Sequence, residues 1–122
     1  MSQVKILVVE DEEFLRETIV EYLNMKGFEN ILTSSRGEDA IEHIEKEKPD
    51  FVFLDIQLAD DVNGIEVLKK SRASSPDTKC IMMSAYQDEY GEEAMRIGAY
   101  CFLKKPIRDL AKIIKVISEV NK

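Results

Sequence analysis

Four places in this sequence set a reactive side chain directly behind an apolar run. Glu10-Asp11-Glu12-Glu13 follows Ile6-Leu7-Val8-Val9, and Asp55 follows Phe51-Val52-Phe53-Leu54. Ser84 follows the run that ends at Met83, and Lys104-Lys105-Pro106 follows Tyr100 to Leu103. Carboxylates, a further carboxylate, a hydroxyl and an ammonium are the parts of a site for a divalent cation and a phosphoryl group. Hard carboxylate oxygens suit Mg²⁺, which binds through one or two of them and keeps several waters for phosphate oxygens. A hydroxyl donates to a phosphoryl oxygen, and a lysine neutralises its charge as a flexible point charge. Each group alone has a plainer reading. Acids at a helix N-terminus meet the positive end of the helix dipole, a strand-end Asp caps a turn, and a single Lys belongs to the surface. No glycine-rich segment follows the first apolar run, so a phosphate-cradling loop is excluded there.

These residues act together only if their elements converge. Strands are predicted over Val4 to Val9, Asn30 to Thr33, Phe51 to Leu54, Lys79 to Met83 and Tyr100 to Leu103. The two most apolar runs read as strands covered on both faces. Helical periodicity runs from Glu12 to Lys26, Gly37 to Lys46, Ile65 to Arg72, Glu89 to Ile97 and Ile107 to Val120. Leu15, Ile19, Tyr22 and Leu23 share a face of the first helix, and Leu110, Ile113, Ile114 and Ile117 form the buried stripe of the last. Strict alternation with short connections predicts an α/β fold: a doubly wound five-stranded parallel sheet, order 2-1-3-4-5, in a flavodoxin-like (βα)5 three-layer sandwich. Ligands of such sheets bind outside the carboxyl ends of the strands near the switch point. The first and third strands flank that point, which brings Asp55 against Glu10 and Asp11. Three carboxylates so close repel, and either a proton or a cation must hold them together.

Composition bounds the remaining possibilities. The chain has 122 residues, Lys+Arg 17 against Asp+Glu 24, and a net charge of −7. That length predicts one domain over residues 1–122, burying about two-thirds of its unfolded surface on folding. The acid excess disfavours nonspecific nucleic-acid binding and docking on anionic membranes. The longest apolar runs fall far short of a membrane span, and the polar start has no signal-peptide core, so a cytoplasmic protein is expected. Cys80 and Cys101 have no metal-ligand spacing and are expected to be buried reduced thiols. His43, the only histidine, is expected to be solvated or half-buried among Glu42, Glu45 and Glu47.

In order and spacing, the chain resembles the receiver domains of two-component response regulators. The resemblance covers essentially the whole sequence. It rests on Ile6 to Glu12, Phe53-Leu54-Asp55, Gly64 to Leu68, Met83-Ser84-Ala85, Gly98-Ala99-Tyr100 and Lys105-Pro106. It implies that Asp55 is the phosphoacceptor, a carboxylate nucleophile. It further implies that Asp11, Glu10, Asp55 and the backbone carbonyl of Gln57 hold Mg²⁺ (or Mn²⁺). Lys105 would pair with Asp55 at rest and with the phosphoryl group afterwards, and Ser84 would bond that group. Phe102 would be the aromatic whose rotamer follows, changing the surface of the fourth helix, fifth strand and fifth helix. Gln57 and Tyr86 occupy the positions that tune phosphoryl lifetime, and Tyr86 is expected to shield the group from water. Pro106 is a candidate for a cis bond.

The same resemblance implies partners: a histidine kinase or histidine phosphotransfer protein, and a downstream protein target. A homodimer through the fourth helix, fifth strand and fifth helix is a further expectation, with Lys112, Val116 and Val120 as a candidate exposed contact face. The chain would be no enzyme beyond its own phosphorylation and dephosphorylation, and would be either a stand-alone regulator or a receiver from a longer chain. The loop after Asp55 departs from the family's usual form, since it is one residue longer and Ala59 stands where Pro is common. Asp60 and Asp61 there are expected to be solvated. An aspartyl phosphatase or mutase would need a general acid where Gln57 stands, and a flavin carrier would need a phosphate loop after the first strand.

Overall fold

The pleat sorts the apolar residues of each strand into two layers, because successive side chains point to opposite faces. In a computed structural model, which describes residues 4–56, 63–84, 89–105 and 110–120, the strands are β1 (Lys5–Val9), β2 (Asn30–Ser34), β3 (Phe51–Asp55), β4 (Lys79–Ser84) and β5 (Cys101–Lys104). The helices are α1 (Glu13–Met25), α2 (Gly37–Glu47), α3 (Gly64–Ser74), α4 (Glu89–Ile97) and α5 (Ala111–Val120). All pairings are parallel, in the order β2-β1-β3-β4-β5. Leu7, Val9, Val52, Leu54, Cys80 and Met82 pack with Ala40, Ile44, Ile65, Leu68 and Ala94 of α2, α3 and α4. Ile6, Val8, Phe53, Ile81 and Met83 pack with Ile19, Leu23, Ile113 and Ile117 of α1 and α5. The sheet is therefore wound on both faces, and its central strands are buried almost throughout, whereas edge strands β2 and β5 keep exposed or half-buried positions.

The register decides which residues meet at the carboxyl edge of the sheet. Val9 pairs with Leu54, so one step further Glu10 lies beside Asp55. Asp55 pairs with Met83 and Ser84 with Lys104, so the next residue, Lys105, begins the β5 exit. Parallel strands put all these residues at one end of the sheet.

Several boundaries differ from those read in the sequence. α3 starts at Gly64 because Asn63 caps it, its side chain accepting hydrogen bonds from the backbone N–H groups of Ile65 (3.0 Å) and Glu66 (3.1 Å). Tyr100 is exposed and precedes β5 rather than opening it, although its N–H donates to the Cys80 carbonyl at 2.8 Å. Val116 is a correction. It is buried on the α1/α5 side with Ile113 and Ile117, three residues on from Ile113 on the same helical stripe, so it belongs to the core and not to an exposed contact face. Lys112 is exposed as expected, and the side chain of Val120 lies outside the described residues.

Cys80 and Cys101 project to opposite faces of the sheet and are free thiols, Cys80 buried as expected and Cys101 only half-buried because it lies on edge strand β5. His43 is half-buried, its Nδ1 2.9 Å from Ser34 Oγ, which donates to Asp39 Oδ2 at 2.8 Å. No helix among the described residues is long and apolar enough to cross a membrane.

Candidate functional site

Glu10 is wholly buried, Asp55 nearly so, and Asp11 is exposed at the lip. One carboxylate oxygen from each lies within 4.8 Å of the others. Burying acids is unfavourable unless charge and hydrogen bonds answer them, and here both do. The Lys105 ammonium donates to Glu10 Oε1 at 2.9 Å and to Asp55 Oδ2 at 3.3 Å. The second Glu10 oxygen accepts the Glu12 backbone N–H at 3.1 Å. Arg16, one turn into α1, donates to the Glu10 carbonyl at 2.8 Å and adds positive charge behind the cluster.

The main chain holds these groups in place. Glu10 N–H donates to Ser34 O at 3.0 Å, Ile56 N–H to Met83 O at 3.0 Å, and Lys105 N–H to Ser84 O at 2.8 Å. Each bond extends a strand ladder by one residue past the last paired position. The strand exits therefore stay aligned at the point where the side chains meet.

Charge is not balanced at the lip. Partial desolvation at the lip and the adjacent Glu10 carboxylate push the Asp11 carboxyl above its usual value of 3.8, against a backbone hydrogen bond and the pull of Lys105. Burial disfavours the Lys105 ammonium, but its hydrogen bond to Glu10 and the charge of Asp55 outweigh that and lift it above 10.5. Hard oxygen donors that converge, one of them made reluctant to ionise by desolvation and by the neighbouring Glu10 carboxylate, fit a divalent cation of the Mg²⁺ type.

Ser84 closes the same edge at the end of β4, buried. Phe102, half-buried, packs on the α2/α3/α4 layer. Its ring covers Gly91 of α4 closely enough that a Cβ there would lie 3.2 Å from it. Gln57, Tyr86, Pro106, Ala59, Asp60 and Asp61 lie outside the described residues.

Two participants were not singled out from sequence. Arg16 had a possible signal, a basic residue in the first turns of a helix that follows four acids. Gly64 belongs to the stretch quoted for the resemblance, but no chemistry distinguishes a glycine in sequence. Its part comes from a close backbone approach, with its N–H donating to Ile56 O at 2.7 Å.

Comparison with known proteins gives a consistent result. The profile of the response regulator receiver domain matches residues 6–118. Chemotaxis protein CheY of Thermotoga maritima is 29% identical over 119 residues, covering 97% of this chain and 98% of that protein. Sporulation initiation phosphotransferase F of Bacillus subtilis is 31% identical, covering 92% of this chain and 94% of that protein. Other relatives are longer: the chain spans 27% of a cyclic di-GMP phosphodiesterase from Thermotoga maritima, to which it is 35% identical over 103 residues. It spans 47% of the sensory transduction protein LytT of Bacillus anthracis. Among solved structures, the receiver domain of NtrX from Brucella abortus superposes with a TM-score of 0.86 at 31% identity, covering 94% of this chain and 96% of that one.

Proposed function

The chain belongs to the response regulator receiver domain family, and on that premise we propose that it is a phosphoacceptor switch whose phosphoryl group is carried by Asp55. The donor is the phosphohistidine of a histidine kinase or phosphotransfer protein. An Asp55 carboxylate oxygen attacks phosphorus in line, the O–P bond forms as the P–N bond breaks, and the electron pair stays on the imidazole, which takes up a proton. Glu10, Asp11, Asp55 and the Gln57 backbone carbonyl would hold Mg²⁺ (or Mn²⁺). That cation supplies positive charge to the phosphoryl oxygens.

The observation that carries this reading is the convergence of the three carboxylates within 4.8 Å, with Lys105 bridging Glu10 and Asp55. An aspartyl phosphate adds negative charge where acids already repel. The charge answering it within the chain is the Lys105 ammonium, which leaves Glu10 for a phosphoryl oxygen. The Ser84 hydroxyl donates to another oxygen. Phe102 has no hydroxyl, so its ring follows by packing, and the α4-β5-α5 surface changes shape for a downstream protein or for a second copy of the chain. In this reading the chain acts in the cytoplasm and its only chemistry is its own phosphorylation and dephosphorylation.

Incubation with Mg²⁺ and a small-molecule phosphodonor tests it by intact-mass measurement. The native chain gains one phosphoryl group and Asp55→Asn gains none. Chelation of the metal abolishes uptake while far-UV circular dichroism stays native. A native chain that gains no phosphate with Mg²⁺ present would sink the reading.

A further inference from the structure

The main chain at the phosphoacceptor is held from two sides. On one side, Ile56 N–H donates to Met83 O of β4 at 3.0 Å. On the other, Ile56 O accepts the Gly64 N–H at 2.7 Å. Gly64 is the first residue of α3 and is buried. The approach leaves no room for a side chain: a Cβ at Gly64 would overlap the carbonyl oxygen of Asp55, lie 2.6 Å from Ile56 Cα and 2.9 Å from Ile56 O. Every one of these neighbours is backbone, so none can swing away. Gly91 and Gly98 differ, since a Cβ at either would first meet a side chain, Phe102 or Arg72, and one at Gly27 would meet nothing. The need for glycine at Gly64 is one of space, because positive φ angles occur at Gly27 and Gly98 and not at Gly64.

We infer that Gly64 is a positioning residue for the phosphoacceptor: its bare Cα lets the N-terminus of α3 clamp the Asp55–Ile56 peptide against β4, and that clamp sets the Asp55 carboxylate at ligand distance from Glu10 and Asp11. The inference rests on the reading of Asp55 as phosphoacceptor and cation ligand. A clamp this tight has a direct chemical consequence. Ligand sites tolerate only about half an ångström of error in their donors, and displacements of about an ångström cost on the order of a hundredfold in rate. A methyl group at Gly64 must force the α3 N-terminus and the Asp55–Ile56 peptide apart, since contacts below 3.0 Å between a Cβ and backbone have to open, and that opening undoes the clamp whichever side gives.

Gly64→Ala separates positioning from plain stability when compared with Val67→Ala, which removes buried volume from the same helix away from the clamp. Mg²⁺ affinity is measured by calorimetry, and phosphate uptake with a small-molecule donor, at a temperature where both variants are folded. Gly64→Ala is expected to bind Mg²⁺ at least about tenfold more weakly and to take phosphate correspondingly more slowly, whereas Val67→Ala matches the native chain in both. The native chain supplies a second measurement that stands even if Gly64→Ala does not fold. Loading with Mg²⁺ and beryllofluoride should slow hydrogen exchange at the Ile56 and Gly64 amides beyond the slowing at Val67 and Leu68. Native-like Mg²⁺ affinity in folded Gly64→Ala, or exchange at Ile56 and Gly64 that loading slows no more than at Val67, overturns the positioning role while leaving the phosphoacceptor reading intact. A native chain that binds neither Mg²⁺ nor beryllofluoride overturns that reading, and this inference with it.

Discussion

Lys105 lies nearer to Glu10 than to Asp55, 2.9 Å against 3.3 Å. The expected resting contact with Asp55 is present, and Glu10 is a second partner. Glu10 is wholly buried, so it depends on that ammonium more than a lip residue would. Lys105→Met should therefore destabilise the metal-free chain by roughly 2–4 kcal/mol, at or below the usual cost of orphaning one member of a buried pair because Lys105 keeps some solvent contact. The same substitution leaves Glu10 open to a cation, so Mg²⁺ should raise the unfolding midpoint of Lys105→Met by more than it raises that of the native chain. Urea titrations with and without Mg²⁺ check both halves. An equal metal-induced shift in the two chains would mean that Lys105 and the cation do not share Glu10. Residue types at strand ends were legible from sequence because four such ends in turn carry acids, a further acid, a hydroxyl and an ammonium, a combination that no single plain reading explains. The Lys105–Glu10 contact was not, since it depends on side-chain reach after the strands are in register.

At the scale of elements, β1, β3 and β4 could be read because both of their faces are covered, which forces long apolar runs. The edges and helix ends could not be read so well. β5 is half-buried, so its sequence does not mark where it begins, and Tyr100 lies exposed just before it. Val116 differs from the exposed position expected of it, because α5 turns it into the core beside Ile113 and Ile117. The start of α3 was missed by one residue because its signal is a cap and not a hydrophobic period. That cap matters for the site, since Asn63 immediately precedes Gly64 and its side chain satisfies the Ile65 and Glu66 N–H groups. Asn63→Ala should cost about 1 kcal/mol of stability. Because it loosens the first turn of α3 without adding bulk against Asp55, it should weaken Mg²⁺ binding far less than Gly64→Ala does. Denaturant unfolding and metal calorimetry on the two variants separate those effects. A loss of metal affinity in Asn63→Ala as large as in Gly64→Ala would place the control of Asp55 in the cap and not in the glycine.

For the whole molecule, the charge of −7 turns out to be divided between solvated helix faces and one buried-to-exposed cluster at the carboxyl edge of the sheet. The same two-layer packing that builds this edge buries groups whose protons the fold then holds. Burial pushes the Cys80 thiol above its ordinary 9.0, only partly offset by its contact with Ser71 and by the charge of Arg72. Burial does the same to Cys101, with Glu119 adding to the effect. Lys105 is lifted above 10.5 by Glu10 and Asp55 in spite of its own burial. All three groups bind their protons more tightly folded than unfolded, so all three act with one sign. Their contribution to stability is fully present below pH 9 for the thiols and below pH 10.5 for Lys105, and is lost as pH rises through the folded values. The chain should thus be measurably less stable to urea at pH 10 than at pH 8. Cys80 is the more deeply buried of the two thiols, so Cys80→Ala should flatten the first part of that decline, although it lowers stability at every pH by emptying core volume. A decline between pH 9 and 10 that is as steep in Cys80→Ala as in the native chain would assign it to other groups. Stability that rises over that interval would contradict the sign itself.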